Sequence, residues 1–236
     1  MEHDSNAPFA PASSNATPRR RAVRRLLRAQ ILYAYALIVF AVLAVFAHID
    51  AYFSWDLATA HALQALPLPG LYFIMRAASI FGDRWTPYLL TAVTMITFFA
   101  LRRRSEAFGL ILSVGGSALI NRLIKVIIAR PRPSSDLVRV FRSISSQSFP
   151  SGHVTFYVCY FGFLFFVAYA LLPRRSIERR AALTVTALFV ALIGFSRVYL
   201  GEHWPSDALG AYLLSGMWLA FSLQMYRYWK QRATFH

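Results

Sequence analysis

Three short clusters of polar residues in this sequence combine histidines, a carboxylate and cations in patterns that suit chemistry on an anion. The clusters are Lys125 with Arg132, then Pro150-Ser151-Gly152-His153, then Ser196-Arg197 followed by His203 and Asp207. Each cluster adjoins a long apolar stretch, where charged side chains are costly and usually functional. We therefore treat the three clusters as parts of one candidate site.

The cations of these clusters predict what the site binds. We expect Lys125, Arg132 and Arg197 to have no acidic partner nearby except Asp207. Arginine offers a planar fork of donors that fits phosphate, and lysine adds a point charge. Ser151-Gly152 precedes a predicted helix, whose free N–H groups favour an anion, and the glycine lets the backbone approach closely. The predicted ligand is an anion with several oxygens, most simply a phosphate.

Two histidines supply reactive groups beside this anion. His203 and Asp207 are four residues apart at the start of a predicted helix, so that the carboxylate can accept from one ring nitrogen and leave the other free. A free, oriented imidazole is a candidate nucleophile. His153 lacks a carboxylate at such a spacing, but it could protonate the leaving oxygen. Together these groups form a complete set for phosphoryl transfer.

Structural roles are the alternative for each residue taken singly. A lone histidine at a helix end is more often structural, and arginines near a membrane surface usually extend towards the headgroups. The coincidence of three matched clusters favours a site. Arg130 lies two residues before Arg132. Its side chain has two alternative roles, facing the lipid headgroups or contacting the ligand.

The elements that carry these clusters are apolar. Hydrophobic residues make up 57% of the 236 residues and charged residues only 15%, with a formal net charge of +15. The single cysteine, Cys159, excludes a disulfide framework and a cysteine-based zinc site. A strongly basic soluble protein would suggest nucleic acid, but here the apolar residues are grouped in long blocks, so we expect a bilayer and no nucleic acid as partner.

Six of these blocks approach the length of about 20 apolar residues that spans a bilayer. They are residues 29–47, 85–101, 107–128, 154–173, 181–200 and 208–226. The predicted fold class is all-α: a bundle of six transmembrane helices, with a short interfacial helix over residues 71–81 in the first extracytoplasmic loop. Residues 1–28 are predicted to be a disordered, basic, cytoplasmic segment, residues 29–228 the membrane domain, and residues 229–236 a short cytoplasmic tail.

The distribution of lysine and arginine predicts the orientation of the bundle. Most of the 25 lysines and arginines flank the blocks on the side of the N-terminus, which the positive-inside rule assigns to the cytoplasm. Both termini are then cytoplasmic, and all three polar clusters emerge on the opposite, extracytoplasmic face. Nothing in the spacing of the blocks requires this coincidence, which supports a single composite site.

The sequence resembles the type 2 phosphatidic acid phosphatases (PAP2), also called lipid phosphate phosphatases. The family pattern is lysine, six residues and Arg-Pro, then Pro-Ser-Gly-His, then Ser-Arg, five residues, histidine, three residues and aspartate. This chain matches it in order with Lys125 to Pro133, residues 150–153, and residues 196–207.

The resemblance implies a role for each matched residue. His203 attacks phosphorus, Asp207 orients it, and His153 protonates the leaving group. The phosphoryl oxygens are held by Lys125, Arg132, Arg197, Ser151 and Gly152. The family needs no metal and no other cofactor.

We therefore expect an enzyme of the inner (cytoplasmic) membrane, with its active site facing the periplasm or the exterior. It would hydrolyse a lipid phosphate or diphosphate through a phosphohistidine. The candidate substrates are undecaprenyl diphosphate, ranked slightly first, phosphatidylglycerophosphate, phosphatidic acid and lipid A. A lipid phosphotransferase that uses the same phosphohistidine is the main alternative, and a non-catalytic channel or lipid-binding protein is another.

Overall fold

The computed structural model describes residues 18–233, and every regular element within that range is helical. The helices are α1 (Pro18–Ile49), α2 (Ser54–Gln64), α3 (Leu71–Ser79), α4 (Thr86–Ala100), α5 (Arg104–Ile128), α6 (Gly152–Leu171), α7 (Ile177–Tyr199) and α8 (Pro205–Ala233). The described part of the chain divides into two units, one that ends at residue 35 and one that begins at residue 36. The first holds the beginning of α1, and the second holds all the elements discussed below.

Five of the described helices are long and apolar enough to cross a membrane. They are the Leu27–Ile49 part of α1, then α5, α6, α7 and most of α8. The sixth predicted block forms α4, an apolar helix of 15 residues. At 1.5 Å per residue it is shorter than a typical hydrocarbon core of about 30 Å, so the count of six stays a prediction.

The structure also differs from the sequence prediction at the ends and in the first loop. Residues 18–28 were predicted to be disordered, but α1 begins at Pro18, while residues 1–17 lie outside the described part. The predicted short helix exists as α3, followed by a 3₁₀ turn over Ile80–Gly82; its placement at the interface stays a prediction. The hydropathy pattern did not predict α2, which precedes α3.

Helix α6 lies at the centre of the bundle. It is apolar on all sides, as a helix surrounded by protein must be, and it packs against α5, α7 and α8. Tyr157 and Phe163 on α6 are fully buried, as are Leu110 of α5 and Ile193 of α7. This core fixes the N-terminal end of α6, where His153 lies.

Hydrogen bonds tie the loop before α4 to the bundle. The Tyr157 hydroxyl donates to the carbonyl of Ala78 at 2.6 Å and accepts from the amide of Phe81 at 3.2 Å. The Ser196 hydroxyl of α7 donates to the carbonyl of Met75 in α3 at 2.6 Å. These bonds fix the segment that carries Asp83 against the ends of α6 and α7.

Candidate active site

The start of α8 positions His203 and Asp207. Gly201 turns the chain after α7 with a φ of +66°, and a Cβ there would lie 2.1 Å from the carbonyl oxygen of Arg139. Only glycine fits this turn, because both the backbone angle and the close approach exclude a side chain. The next residues carry His203 into the interior, where its Nδ1 lies 3.3 Å from the Asp207 Oδ2. Both side chains are buried.

The two nitrogens of His203 have different surroundings. Nε2 lies 3.1 Å from Nη1 of Arg132. Because a guanidinium only donates, Nε2 accepts, and the hydrogen of the neutral ring is on Nδ1, facing Asp207. The lone pair of Nε2 is therefore directed at the cations. The predicted pairing of His203 with Asp207 thus has the geometry of an oriented nucleophile.

Ser148 also contacts the histidine and its carboxylate, although the sequence analysis did not select it. Its hydroxyl donates to Oδ2 of Asp207 and lies 3.4 Å from Nδ1 of His203. Its amide donates to the carbonyl of Arg130 at 2.8 Å. No spacing pattern links Ser148 to His203 in the sequence, because the contact depends on the path of the loop between α5 and α6.

Lys125 and Arg132 bring positive charge to the pocket from the end of α5 and the following loop. The Lys125 ammonium donates to the carbonyls of Gln147 and Ser148 at 2.5 and 3.2 Å. The Arg132 guanidinium donates to the carbonyls of Ser146 and Glu202 at 2.7 and 2.5 Å. Carbonyls fix both side chains but leave their charges uncompensated, which suits an anionic ligand.

His153 has no carboxylate at the spacing of Asp207 from His203, but it has a carboxylate partner that is distant in the sequence. Its Nε2 lies 3.1 Å from Oδ1 of Asp83 in the loop before α4. A carboxylate oxygen accepts here, so this nitrogen carries a hydrogen. The Arg142 guanidinium also donates to Oδ1 of Asp83, at 2.7 Å. A Cβ on Gly82 would lie 2.2 Å from the ring of His153, so the glycine is needed for this contact.

Arg197 forms an ion pair with Glu202, which the sequence patterns did not predict. Its fully buried guanidinium contacts the carboxylate of Glu202 and the hydroxyl of Ser79. The expectation that Asp207 would be the only nearby acid is therefore wrong. Arg142 also donates to Oε2 of Glu202 at 3.2 Å. Because Arg142 contacts Asp83 as well, it links Glu202 and Arg197 to the network around Asp83.

The Arg130 side chain contacts other residues of the protein, rather than the lipid headgroups or the pocket that would hold the ligand. It is 1% exposed, so it does not face lipid headgroups, and its guanidinium contacts Asp207 at 2.8 Å and Asp56 of α2 at 2.9 Å. Asp207 therefore contacts an arginine as well as His203. No sequence pattern pointed to Asp56, because more than seventy residues separate it from Arg130.

Ser151 and Gly152 begin α6. The Ser151 hydroxyl caps the helix by accepting from the amide of Val154 at 3.5 Å, and the Ser151 amide donates to the carbonyl of Asp207 at 3.2 Å. This serine is fully buried. It therefore links α6 to α8, while Gly152 lies at the pocket wall.

An open pocket of about 500 Å³ joins these groups. It is lined by residues 82–84 and 142–146, and by Lys125, Arg132, Gly152, His153 and His203. Among the described residues, Arg197, Ser151 and Asp207 lie outside this lining. The structure thus brings five of the eight predicted site residues to the pocket surface and places the other three around it.

The electrostatics of the pocket favour a neutral His203 among cations. Burial lowers the pKa of His203 well below its ordinary value, and the charges of Arg132 and Lys125 lower it further. Burial also lowers the pKa of Arg132 to about 10, so that this group stays protonated at neutral pH. Burial raises the pKa of Asp83, but hydrogen bonds from His153 and a neighbouring guanidinium outweigh burial and hold the pKa below its usual range.

The fold and the pocket together define a class of protein. Several membrane-length helices converge on a cationic pocket that presents two histidines, each beside a carboxylate. Such a pocket suits an oxyanion, and the oriented histidine suits transfer of a phosphoryl group.

Known proteins identify the family. The PAP2 superfamily matches residues 106–231. Phosphatidylglycerophosphatase B of Bacillus subtilis (strain 168) is 30% identical over 184 residues, which cover 77% of this chain and 88% of that protein. The putative undecaprenyl-diphosphatase YbjG of Escherichia coli (strain K12) is 28% identical over 165 residues, covering 69% of this chain and 78% of that protein.

A solved structure agrees with the sequence relatives. The crystal structure of a transmembrane PAP2-type phosphatidylglycerolphosphate phosphatase from Bacillus subtilis superposes with a TM-score of 0.69 at 27% identity, covering 82% of this chain and 94% of that one. The chain belongs to the PAP2 superfamily and is a membrane member of its lipid phosphatases. The resemblance drawn from the three motifs is confirmed.

Proposed function

We propose that this protein hydrolyses a lipid phosphate or diphosphate through a phosphohistidine on His203. The observation that carries the proposal is the orientation of His203. Its Nδ1 faces Asp207, and its Nε2 faces Arg132 inside the cationic pocket. Binding of an anion alone would not require an imidazole oriented in this way.

The residues suggest two chemical steps. In the first, Nε2 of His203 forms a bond to phosphorus, the bond from phosphorus to the leaving oxygen breaks, and His153 gives that oxygen a proton. In the second, His153 takes a proton from water, the water oxygen bonds to phosphorus, and the bond to Nε2 breaks. Lys125 and Arg132 stabilise the charge on the phosphoryl oxygens in both steps, with Arg197 adding its field from outside the pocket lining.

An apolar groove beside the pocket supports a lipid substrate. The groove, of about 470 Å³, runs between α4, α5 and α6 and shares residues 82, 84 and 152 with the pocket. Its walls include Tyr88, Ile111, Val114 and Phe156. A molecule with a phosphate at one end and a hydrocarbon tail fits this pairing. The names of the two sequence relatives support phosphatidylglycerophosphate and an undecaprenyl diphosphate as candidates; phosphatidic acid and lipid A complete the set.

The arrangement of helix ends supports the proposed topology. The end of α1 and the start of α2 meet the site at Ala51 and Asp56, and α4 begins beside Asp83. The end of α5, the start of α6, the end of α7 and the start of α8 also meet there. If α4 crosses the bilayer as the sixth span, both termini are cytoplasmic and the pocket opens on the outer face of the inner membrane.

The carboxylates around the pocket support a mechanism without a metal. Asp83, Glu202 and Asp207 each contact an arginine. Among the described residues, no group of three or more histidines, cysteines, aspartates or glutamates is placed to hold a metal ion. The cations of the pocket can supply the charge that magnesium would otherwise provide.

The test is phosphate release by the purified full-length protein in detergent. The substrates are the four candidate lipids, each with and without EDTA, and with a lipid alcohol or sugar as acceptor. We expect inorganic phosphate from at least one lipid, undiminished by EDTA. His203→Gln should abolish release, while the control His61→Gln should not, because His61 is exposed, donates to the Leu137 carbonyl, and among the described residues is not part of the pocket lining. Transfer to the acceptor without free phosphate, or restoration by magnesium alone, would contradict the proposal.

A further inference from the structure

A second carboxylate lies behind the Asp207 carboxylate, with an arginine between them. Arg130 donates from Nη1 to Oδ1 of Asp207 at 2.8 Å and from Nη2 to Oδ2 of Asp56 at 2.9 Å. Ser206 completes the cluster, since its hydroxyl donates to Asp56 at 2.7 Å and accepts from Arg130 at 2.6 Å. All four side chains are buried, with exposures of 0–1%.

The remaining contacts of Arg130 hold it away from the ligand. Nε donates to the carbonyl of Ala51 at 3.1 Å, and the guanidinium lies 4.7 Å from the centre of the Phe53 ring. Arg130 is not part of the pocket lining among the described residues. Its interactions are therefore with the protein, and they direct its charge at Asp207.

The two carboxylate oxygens of Asp207 contact different partners. Oδ1 accepts from Arg130, whereas Oδ2 faces His203 and accepts from the amide of Trp204 at 2.8 Å. The guanidinium thus fixes the rotation of the carboxylate without occupying the oxygen that the histidine needs.

The charges of the cluster explain why Asp56 is present. Asp207 and Arg130 alone would sum to zero, and a neutral pair would do little to stabilise a positive imidazole. His203 gains positive charge as it attacks phosphorus, and Lys125 and Arg132 already face it from the pocket. Adding Asp56 makes the cluster net negative, in a buried region where charge acts strongly.

We propose that Asp56 and Arg130 are positioning residues that keep Asp207 oriented and the cluster net negative behind His203. The inference rests on the proposed function, because it assigns His203 as the nucleophile. Neither residue touches the phosphate pocket, so both should influence turnover rather than binding.

The test compares Asp56→Asn, Arg130→Gln and the double variant in the full-length protein. The Asp56→Asn amide has the same size and can still accept from the amide of Ser206, which donates to Asp56 at 2.8 Å. We expect kcat to fall about 10- to 100-fold, the loss typical when an outer partner of a reacting group is removed. KM and inhibition by orthovanadate, a phosphate mimic, should change less than threefold. In the Arg130→Gln background, Asp56→Asn should cause little further loss, because Asp56 acts through Arg130.

A matched control separates this role from stability. Glu106→Gln removes a buried carboxylate at the far end of the bundle, where Glu106 accepts from Lys230 at 2.6 Å and Tyr226 at 3.1 Å. It should lower the thermal unfolding midpoint without lowering kcat. If Asp56→Asn does not fold, the double variant Asp56→Leu with Arg130→Met removes both charges together, which buried sites tolerate better than loss of one. It should bind vanadate normally and turn over slowly.

The outcomes are distinct. A wild-type protein that releases no phosphate overturns both the proposed function and this inference. An active wild type overturns the inference alone if Asp56→Asn keeps the wild-type kcat, or if the Asp56→Leu and Arg130→Met double variant does so although Asp207 has lost the contact that orients it. Equal losses in kcat and vanadate binding overturn it too, because they would indicate collapse of the pocket.

Discussion

The two pocket histidines are each held by a carboxylate, but the carboxylates have different surroundings. Asp207 is fully buried and contacts Arg130. The Asp83 side chain is 14% exposed at the pocket wall, where it accepts a hydrogen bond from Arg142. Under the proposed mechanism, Asp207 supports a nucleophile and Asp83 orients a proton donor. Removing one carboxylate or the other should therefore affect turnover in different ways.

We predict that Asp83→Asn impairs proton donation by His153. Turnover on a lipid phosphate, whose alkoxide is a poor leaving group, should fall about 10- to 100-fold, less than the roughly 10²- to 10⁴-fold typical for losing the positioned acid itself, because His153 remains. Turnover on p-nitrophenyl phosphate should fall much less, because that leaving group needs little protonation. Steady-state kinetics with both substrates measure the difference. Equal losses on the two substrates would refute this role for Asp83.

The pKa of His203 predicts the acid side of the pH profile. His203 must be neutral to attack, and burial with the neighbouring cations lowers its pKa. Neutral His203 therefore persists below pH 6.5, the ordinary histidine value, so kcat/KM should stay high there.

The variant Lys125→Met controls for titration of the substrate. It removes one cation that faces His203, so the pKa of His203 should rise and the acid limb should move to higher pH. The substrate titrates identically with both enzymes, so a shift between them reports on the protein. An acid limb that lies above pH 6.5 in the wild type, or that does not move in the variant, would contradict the assignment.

Sequence spacing predicted part of this site for a physical reason. His203 and Asp207 are four residues apart across the start of α8, so their contact follows from local geometry. The partners Asp83, Asp56 and Arg130 could not be predicted in the same way. Their contacts join segments that are distant in the chain and meet only once the helices have packed.

At the scale of elements, hydropathy predicted the long helices but not their ends. Helix α1 begins at Pro18, before its apolar block, because arginine favours a helix and an arginine-rich segment can continue one, so the end of an apolar block need not end the helix. Helix α2, with the sequence SWDLATAHALQ, has mixed polarity and no long apolar run, so hydropathy did not select it. Its importance comes from Asp56, which a composition argument does not reveal.

The turn at Gly201 gives a prediction at this scale. Gly201→Ala should lower the thermal stability, because the left-handed φ and the contact with the Arg139 carbonyl are both unfavourable for alanine. The strained backbone alone costs about 1–3 kcal/mol. Activity should also fall, since the turn places His203. Thermal unfolding in detergent measures the effect.

Gly216→Ala is the matched control for that substitution. Gly216 lies within α8, and a Cβ there would have no neighbour within 4 Å. This change should be neutral or slightly stabilising, because alanine favours a helix over glycine. Equal stability of the two alanine variants would refute the requirement for glycine at position 201.

For the whole molecule, orientation in the membrane is the main prediction. Ser135→Cys places a thiol on an exposed loop of the site face, and Pro173→Cys places one in the exposed turn between α6 and α7. The native Cys159 is buried and should not react. A membrane-impermeant maleimide on intact cells should label position 135, and should label position 173 only after lysis. The reverse pattern would place the pocket on the cytoplasmic side.

The central claim is that His203 carries the phosphoryl group. Rapid quenching with a substrate labelled with ³²P at the phosphate tests it most directly, with the label mapped to a peptide at alkaline pH. We predict an acid-labile phosphoenzyme on the peptide containing His203 in the wild type, slower labelling in His153→Ala, and none in His203→Ala. His203→Ala should still be inhibited by vanadate, since Lys125 and Arg132 remain. A label that persists in His203→Ala would contradict the account, because the nucleophile would then be another residue.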